Sequence, residues 1–488
     1  MRKVLLNILS LLLLTGCTDF LGKNPSVGKD EPIQTIDQLE GLVNSATVIT
    51  YETNAIEVYG TDYCGITRSL YSNYRNKFDL ANCYNVVHYV DGIASQASDA
   101  YWTGLYKNIF TANLILANID VVSGDQSVKN RVKTDAYFLR AYNYWLLVNY
   151  YALPYTEANK DKPGVPLKLT TSFEEPMGRA SIEKVYAQIE SDIKEASKTE
   201  YAKVDPKLPW RVSKAAIDAF LSRYYLYRGD YAKAITYTDN AMGQGPELKD
   251  FNTLVAGKPA SYVSPDVTLD YCETNDWAPM KFLYWPEHYY ARFAYIGSQW
   301  RVPSESLISK YDKDNDLRFK WFFIKEGGRK FSVIGAYRYT IFYDGRYVPS
   351  GPSVAEIILN KAEAQVRTGQ WQQGMQTLNI LREKRMKAAT YTPMTATDQA
   401  DALKKVLDER SRELPYSCRW LDIRRFANNE TPADDVELSV DFFETTIGNI
   451  NVNNPVTYKV PVGSPLYAWP INGVEIDASK GQIIQNVY

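Results

Sequence analysis

Residues 213–242 read SKAAIDAFLSRYYLYRGDYAKAITYTDNAM, and the layout of that stretch decides the fold. Ser213 stands where a side-chain oxygen caps the first turn of a helix that runs to Arg228. Gly229-Asp230 turns the chain, and Tyr231, Ala234, Tyr237 and Ala241 mark one face of a second helix. Residues 353–387, SVAEIILNKAEAQVRTGQWQQGMQTLNILREKRMK, repeat the arrangement. There Gly369-Gln370 makes the turn, and Trp371, Gly374, Leu378 and Leu381 take the equivalent places. Small residues at Ala234 and Gly374 let the paired helices approach, and an aromatic after each turn wedges the pair. The spacing is tetratricopeptide-like, though degenerate, and a generic helical hairpin satisfies it equally.

Working outward, the pattern from about residue 33 to 243 is helical. Ser127 is placed to cap a long helix whose apolar positions are Val128, Val132, Ala136, Ala141, Trp145 and Val148. A second helix runs from Ser181 to about Lys198, with Ile182, Val185, Ile189, Ile193 and Ala196 on one face. Residues 244–350 differ. Proline, glycine and aromatics crowd there, and alternations such as Tyr337 to Tyr343 suit short strands. We expect a long irregular insertion in a helical body, the kind of segment that often carries function. The chain after Leu414 is mixed and ends in apolar, strand-like pieces.

At the other end, Arg2 and Lys3 precede an apolar stretch from Val4 to Leu14, the layout of a secretory signal. It is too short for a comfortable membrane span, which needs about 20 apolar residues. Leu14-Thr15-Gly16-Cys17 offers small residues before a thiol that can be alkylated. The expected organisation is a signal peptide at 1–16, a lipidated tether at 17–32 and one domain over 33–488, with the insertion at about 244–350. Several acyl chains on Cys17, at roughly 0.8 kcal/mol per buried methylene, make a stable anchor.

Composition excludes several classes. Residues 1–16 carry two cations and no acid, so their removal moves the net charge from −2 to −4, and nothing suggests a nucleic-acid surface. Tyr occurs 38 times and Trp 10 times, but His only twice, at His88 and His288, which argues against zinc or His-based catalysis. Cys64, Cys83, Cys272 and Cys418 form no C-x-x-C, and Cys64 and Cys83 are the one close pair; we expect no disulfide. Ser181-Ile-Glu-Lys184 and Ser191-Asp-Ile-Lys194 fit S-x-x-K without its partner motifs, on a helix where charges are solvated. Asp312-Lys-Asp314-Asn-Asp316 begins like a calcium loop, but Leu317 replaces the glycine and Phe323 the final glutamate. No catalytic, cofactor or metal constellation stands out.

Several stretches in order resemble the SusD/RagB family of nutrient-binding outer-membrane lipoproteins. Leu14 to Cys17 resembles the bacterial lipobox, and Cys17-Thr-Asp-Phe-Leu21 with Pro25 is similar to the family's mature start. Trp102, Tyr106 and Asn113 match its W-x-x-x-Y…N helix. Phe138 to Tyr142 and Tyr150 to Pro154 resemble its "LRAYYYF…YG-x-P" segment. Tyr311 with Asn315 to Arg318, Glu409 to Glu413, Arg419 to Arg425, and Leu466 to Pro470 with Glu475, Ile476, Gln485 and Asn486 match further motifs. Pro415 to Cys418 and Val487 depart from the pattern. We read Glu413, Arg419, Asp422 and Arg424 as buried structural pairs, and Trp102 as core.

The resemblance implies a mainly α, SusD-like fold and a binding subunit, not an enzyme. It implies lipid anchoring in the outer membrane on the cell-surface side. The implied partners are an oligosaccharide, or in some relatives a peptide, and a TonB-dependent, SusC-like transporter. The rivals are a glycan-degrading surface enzyme and a ligand-free protein-docking scaffold. For ligand contacts, the aromatic run at 277–300 offers Trp277, Trp285, Tyr289, Tyr290 and Trp300, with Pro279 and Pro286 keeping the backbone irregular. Near the N-terminus, Tyr71, Tyr74 and Arg75 fall within one helical turn.

Overall fold

The computed structural model describes residues 32–50, 52, 57, 60–65, 99–254, 256–257, 268–269, 283–295, 302–325, 337–339, 347–446 and 449–488. Among them the chain is predominantly helical. After two short helices, α1 (Ile36–Val43) and α2 (Ala46–Thr50), come α3 (Ala100–Asn118), α4 (Gln126–Tyr151) and α5 (Ile182–Ala196). The repeat follows as α6 (Lys214–Tyr227) and α7 (Tyr231–Gln244), and returns as α8 (Val354–Arg367) and α9 (Trp371–Arg385). Then come α10 (Gln399–Glu413) and α11 (Arg419–Phe426).

The expected caps are largely in place. Ser181, Ser213 and Ser353 accept from the backbone N–H groups of Lys184, Ala216 and Glu356. On α4 the cap lies two residues before the expected Ser127: Asp125 accepts from Ser127 N at 2.7 Å and Val128 N at 3.2 Å. A carboxylate is the stronger acceptor for amides at a positive helix end, so the aspartate sets the start.

Both hairpins turn through a left-handed glycine, Gly229 (φ 72°) and Gly369 (φ 83°). A Cβ on Gly374 would lie 2.5 Å from Val366 Cγ2 and 2.9 Å from the Ala362 carbonyl, so glycine is what lets α9 close on α8. The hairpins also pack on each other. Arg223 on α6 meets Glu356 on α8 at 2.6 Å, and Asn360 donates to Ser222 at 3.2 Å.

Between α7 and α8 the described residues form pieces of two to three residues per strand: Ala256–Gly257 with Thr268–Leu269, Phe293–Tyr295 with Tyr347–Pro349, and Phe323–Lys325 with Tyr337–Tyr339, all antiparallel. The strand expected over Tyr337 to Tyr343 is present at Tyr337–Tyr339; its remainder lies outside the described residues. After α11 a longer antiparallel hairpin, Leu438–Thr446 with Asn449–Val460, shifts register between Asn451 and Pro455. The strand-like ending expected of the C-terminus is instead a single turn at Pro465–Tyr467 and a short helix, Gly473–Ala478.

No described helix is long and apolar enough to cross a membrane. Residues 1–31, and with them Cys17, lie outside the described residues.

Candidate ligand-binding faces

The family-type motifs build the frame, and the frame uses up their charges. Arg318 is fully buried and reaches Asp316 at 2.8 Å, Glu409 at 2.6 Å and Glu413 at 3.0 Å. Glu409 also holds Arg382 and Arg412 at 2.6 and 2.7 Å, and Arg385 bridges Glu413 to Glu287. A second lattice joins Arg410 to Asp422 at 2.7 Å, Asp422 to Arg425 at 2.8 Å and Arg425 to Glu363 at 2.5 Å; Arg367 closes it onto Glu363 and Asp434. Burial alone pushes Glu409 and Glu363 up, but the surrounding guanidinia outweigh it and hold both well below the usual carboxylate range. These groups are committed to one another.

Of the four motif charges read as buried pairs, Glu413, Arg419 and Asp422 are paired, Arg419 with Asp62 at 2.7 Å. Arg424 is not. Its Nη2 donates to the Ala152 carbonyl at 2.5 Å, and its Nη1 has no partner. Asp192, expected on a solvated face, is also a correction: it is buried and bound bidentately by Arg140 at 2.7–2.8 Å. The calcium-like loop is internally satisfied, because Asp312 accepts from the backbone of Asp314 and Asn315 while Asp316 caps the short helix Leu317–Phe322 and binds Arg318. Among the described residues no His/Cys/Asp/Glu group has the makings of a metal site.

Trp285, Tyr289 and Tyr290 were expected on an exposed loop. They are 7%, 0% and 2% exposed, so as placed they offer no ring face to solvent. Each enters a different core. Trp285 packs with Phe251 in the cluster of the irregular segment, and Tyr289 lies over Gly245 among the repeat helices. Tyr290 meets Phe138 and Tyr142 edge-on, with centroids at 4.8 and 5.6 Å. Among the described residues of this run, Tyr284 is exposed, 48% accessible and edge-on to Trp210. The sequence shows Tyr284 as one aromatic of nine over 277–300, with no signal to prefer it. Tyr71, Tyr74, Arg75, Trp277 and Trp300 lie outside the described residues, as does Cys83. Trp102 is core, as expected, at 2% exposure.

A cleft of about 540 Å³ opens where the α6–α7 turn meets α11 and the end of α4. Tyr155, Tyr186 and Tyr231 supply its rings, Arg228 and Arg424 its cations, and Asn428, Asn429 and Thr431 its polar edge. Arg228 lies over the Tyr155 ring, 3.7 Å from the centroid. Sequence reading missed this cleft, because its residues come from five separated segments.

Comparison with known proteins agrees with this anatomy. A family model described as starch-binding associating with outer membrane matches residues 19–226, and that of the SusD family matches residues 354–488. A SusD-like protein P2 of Formosa agariphila is 26% identical over 281 residues, 54% of this chain and 52% of that one, so the match spans about half the relative's length. Two solved structures share the fold at low identity. A SusD-like carbohydrate binding protein from Bacteroides vulgatus has a TM-score of 0.60 and 18% identity over 92% of this chain and 97% of that one. Surface glycan-binding protein A from Bacteroides uniformis has a TM-score of 0.61 and 15% identity over 93% and 99%. With SusD-type models matching both ends and a SusD-like fold running between them, the chain belongs to the SusD/RagB family.

Proposed function

We propose that this protein captures a nutrient, most simply an oligosaccharide, at the cell surface and delivers it to a TonB-dependent, SusC-like transporter in the outer membrane. The observation that carries the reading is the match of residues 19–226 to a family described as starch-binding associating with outer membrane. The internal commitment of the motif charges supports a binding role, since the arginines and acids that stand out in the sequence hold helices together. Cys17 supplies the anchor in this reading, and residues 33–488 fold as one unit with about 244–350 as an insertion.

A sugar face presents C–H groups to an aromatic plane and hydroxyls to the rim. If each ring removes about 50 Å² of apolar surface, it contributes roughly 1 kcal/mol, so a few rings give about millimolar affinity before hydrogen bonds. Weak capture suits a protein that passes its cargo on. The ligand contacts proposed for Trp277 and Trp300, and for Tyr71, Tyr74 and Arg75, complete the picture.

Calorimetry of the mature protein against a panel of oligosaccharides and peptides, with a reducing-sugar assay alongside, tests the proposal. Saturable binding without release of reducing ends supports it; turnover of a glycan replaces it with the enzyme reading. Cys17→Ala should leave the protein unprocessed or free of the membrane, and labelled fatty acid on that variant contradicts the anchor.

A further inference from the structure

The cleft beside α11 is bordered by guanidinia that, among the described residues, are not fully matched by carboxylates. Arg318, Arg385, Arg410 and Arg425 are buried, and each sits against at least one carboxylate. Arg424 is 3% exposed, donates to one backbone carbonyl and leaves Nη1 without a partner. Burial lowers its pKa to about 10, only weakly opposed by Tyr186 and Tyr150. On the same cleft Arg228 stacks on Tyr155; its closest carboxylate, Glu190, is 4.0 Å away, and Nη1 donates to the Tyr224 hydroxyl at 3.2 Å. Arg367 and Arg425 also line the cleft but are matched by Glu363, and Glu430 is exposed at the edge. Two guanidinia therefore border one space: among the described residues Arg424 has no carboxylate in contact, and Arg228 has only the loose pair with Glu190 at 4.0 Å.

A buried cation without a counter-ion is costly unless something supplies the anion. The cleft's volume lies within the range of small-ligand sites. Tyr155 and Tyr231, both half-buried, offer ring surface beside asparagine and threonine hydrogen-bonding groups, the combination that recognises a sugar ring.

We infer that this cleft is a subsite for an acidic saccharide unit, whose carboxylate or sulfate is drawn to Arg228 and Arg424 while its ring lies against the tyrosines. The inference rests on the glycan-binding reading and narrows it. Guanidinium suits this role because its planar fork matches a carboxylate or sulfate edge.

Calorimetry on the mature protein tests it, with oligogalacturonate, a sulfated oligosaccharide and a neutral malto-oligosaccharide as probes. Arg228→Gln is the working variant, because the side chain is partly exposed and its one ion pair, with the exposed Glu190, is long; Arg424→Lys is the second, and both are checked for unchanged melting. An acidic probe should bind saturably, weaken on added salt, and lose about tenfold or more in affinity with Arg228→Gln. The response to the carboxylated and sulfated probes separates the two anions. Neutral-probe binding with no Arg228-sensitive acidic binding overturns the cleft and leaves the proposed function standing. Acidic binding that depends on Arg228, without neutral binding, supports the cleft and confines the function to acidic glycans. If no saccharide binds, both fall.

Discussion

The two helical hairpins and the irregular segment between them bury their aromatic and charged side chains by opposite routes. In α6–α7 and α8–α9, local signals agree: a serine cap, an apolar stripe, a left-handed glycine and an aromatic after the turn. Each hairpin closes on itself, and its core follows from its own period. Among its described residues, the segment from Leu283 to Pro349 has strands of three residues each, too short to cover one another. It is held by what it inserts elsewhere. Trp285, Tyr289 and Tyr290 enter three separate cores, and Glu287 pairs with Arg385 on α9. An aromatic run without a period is therefore no sign of an exposed platform. It is what a chain looks like when successive rings serve different neighbours.

Breaking the charge lattice should have the largest effect. Glu409→Ala leaves Arg318, Arg382 and Arg412 without a shared carboxylate, and we expect a loss of about 3–5 kcal/mol in denaturant unfolding. Lys404→Ala, at a pair whose lysine side chain is 78% exposed, should change stability by less than about 1 kcal/mol. Equal costs would mean that burial does not set the value of these pairs.

Within the irregular segment, adjacent rings make the next test. Trp285→Ala should cost about 3–5 kcal/mol by opening a cavity, while Tyr284→Ala stays within about 1 kcal/mol because its ring is largely on the surface. A neutral Trp285 variant, measured by thermal unfolding, would return that ring to the list of open contacts.

The third test sets two kinds of buried acid against each other. Burial raises Glu57 from 4.5 to about 7, although Trp420 N–H and the Tyr150 hydroxyl donate to it. Its stabilising contribution is complete below pH 4.5 and is lost as pH rises through about 7, a change of roughly 3 kcal/mol. Glu409 and Glu363 run the other way: their contribution is present above 4.5 and is lost as pH falls below it. Glu57→Gln should flatten the stability profile between pH 4.5 and 7 and leave the acid limb unchanged. An unaltered profile in that window contradicts the assignment.

The smallest effect separates two cap candidates. Asp125→Ala should cost about 1 kcal/mol and Ser127→Ala a few tenths. The reverse order in chemical denaturation would restore Ser127 as the start of α4.

What could be read from the sequence follows the same division. The repeat was legible because Ser213, Gly229, Ser353 and Gly369 act within a few residues of where they stand. The hairpin after α11 was not. Leu438, Val440 and Phe442 alternate inward, but Asn449 to Pro455 argues against a strand, and the register shift that accommodates Pro455 is a tertiary feature. The burial of Tyr289 was equally hidden, since it depends on the space above Gly245, some 40 residues earlier. Arg424 carries the same lesson. Next to Arg425 in the sequence it looks like one more structural charge, and only the fold shows that one arginine has a carboxylate and the other has none.

The most direct test of the account is calorimetric titration of the chain over residues 17–488 with neutral and acidic oligosaccharides, followed by a reducing-end assay on the same samples. The account predicts saturable binding in the micromolar to millimolar range and no new reducing ends after prolonged incubation. No binding to any saccharide, or steady accumulation of cleaved product, would contradict it.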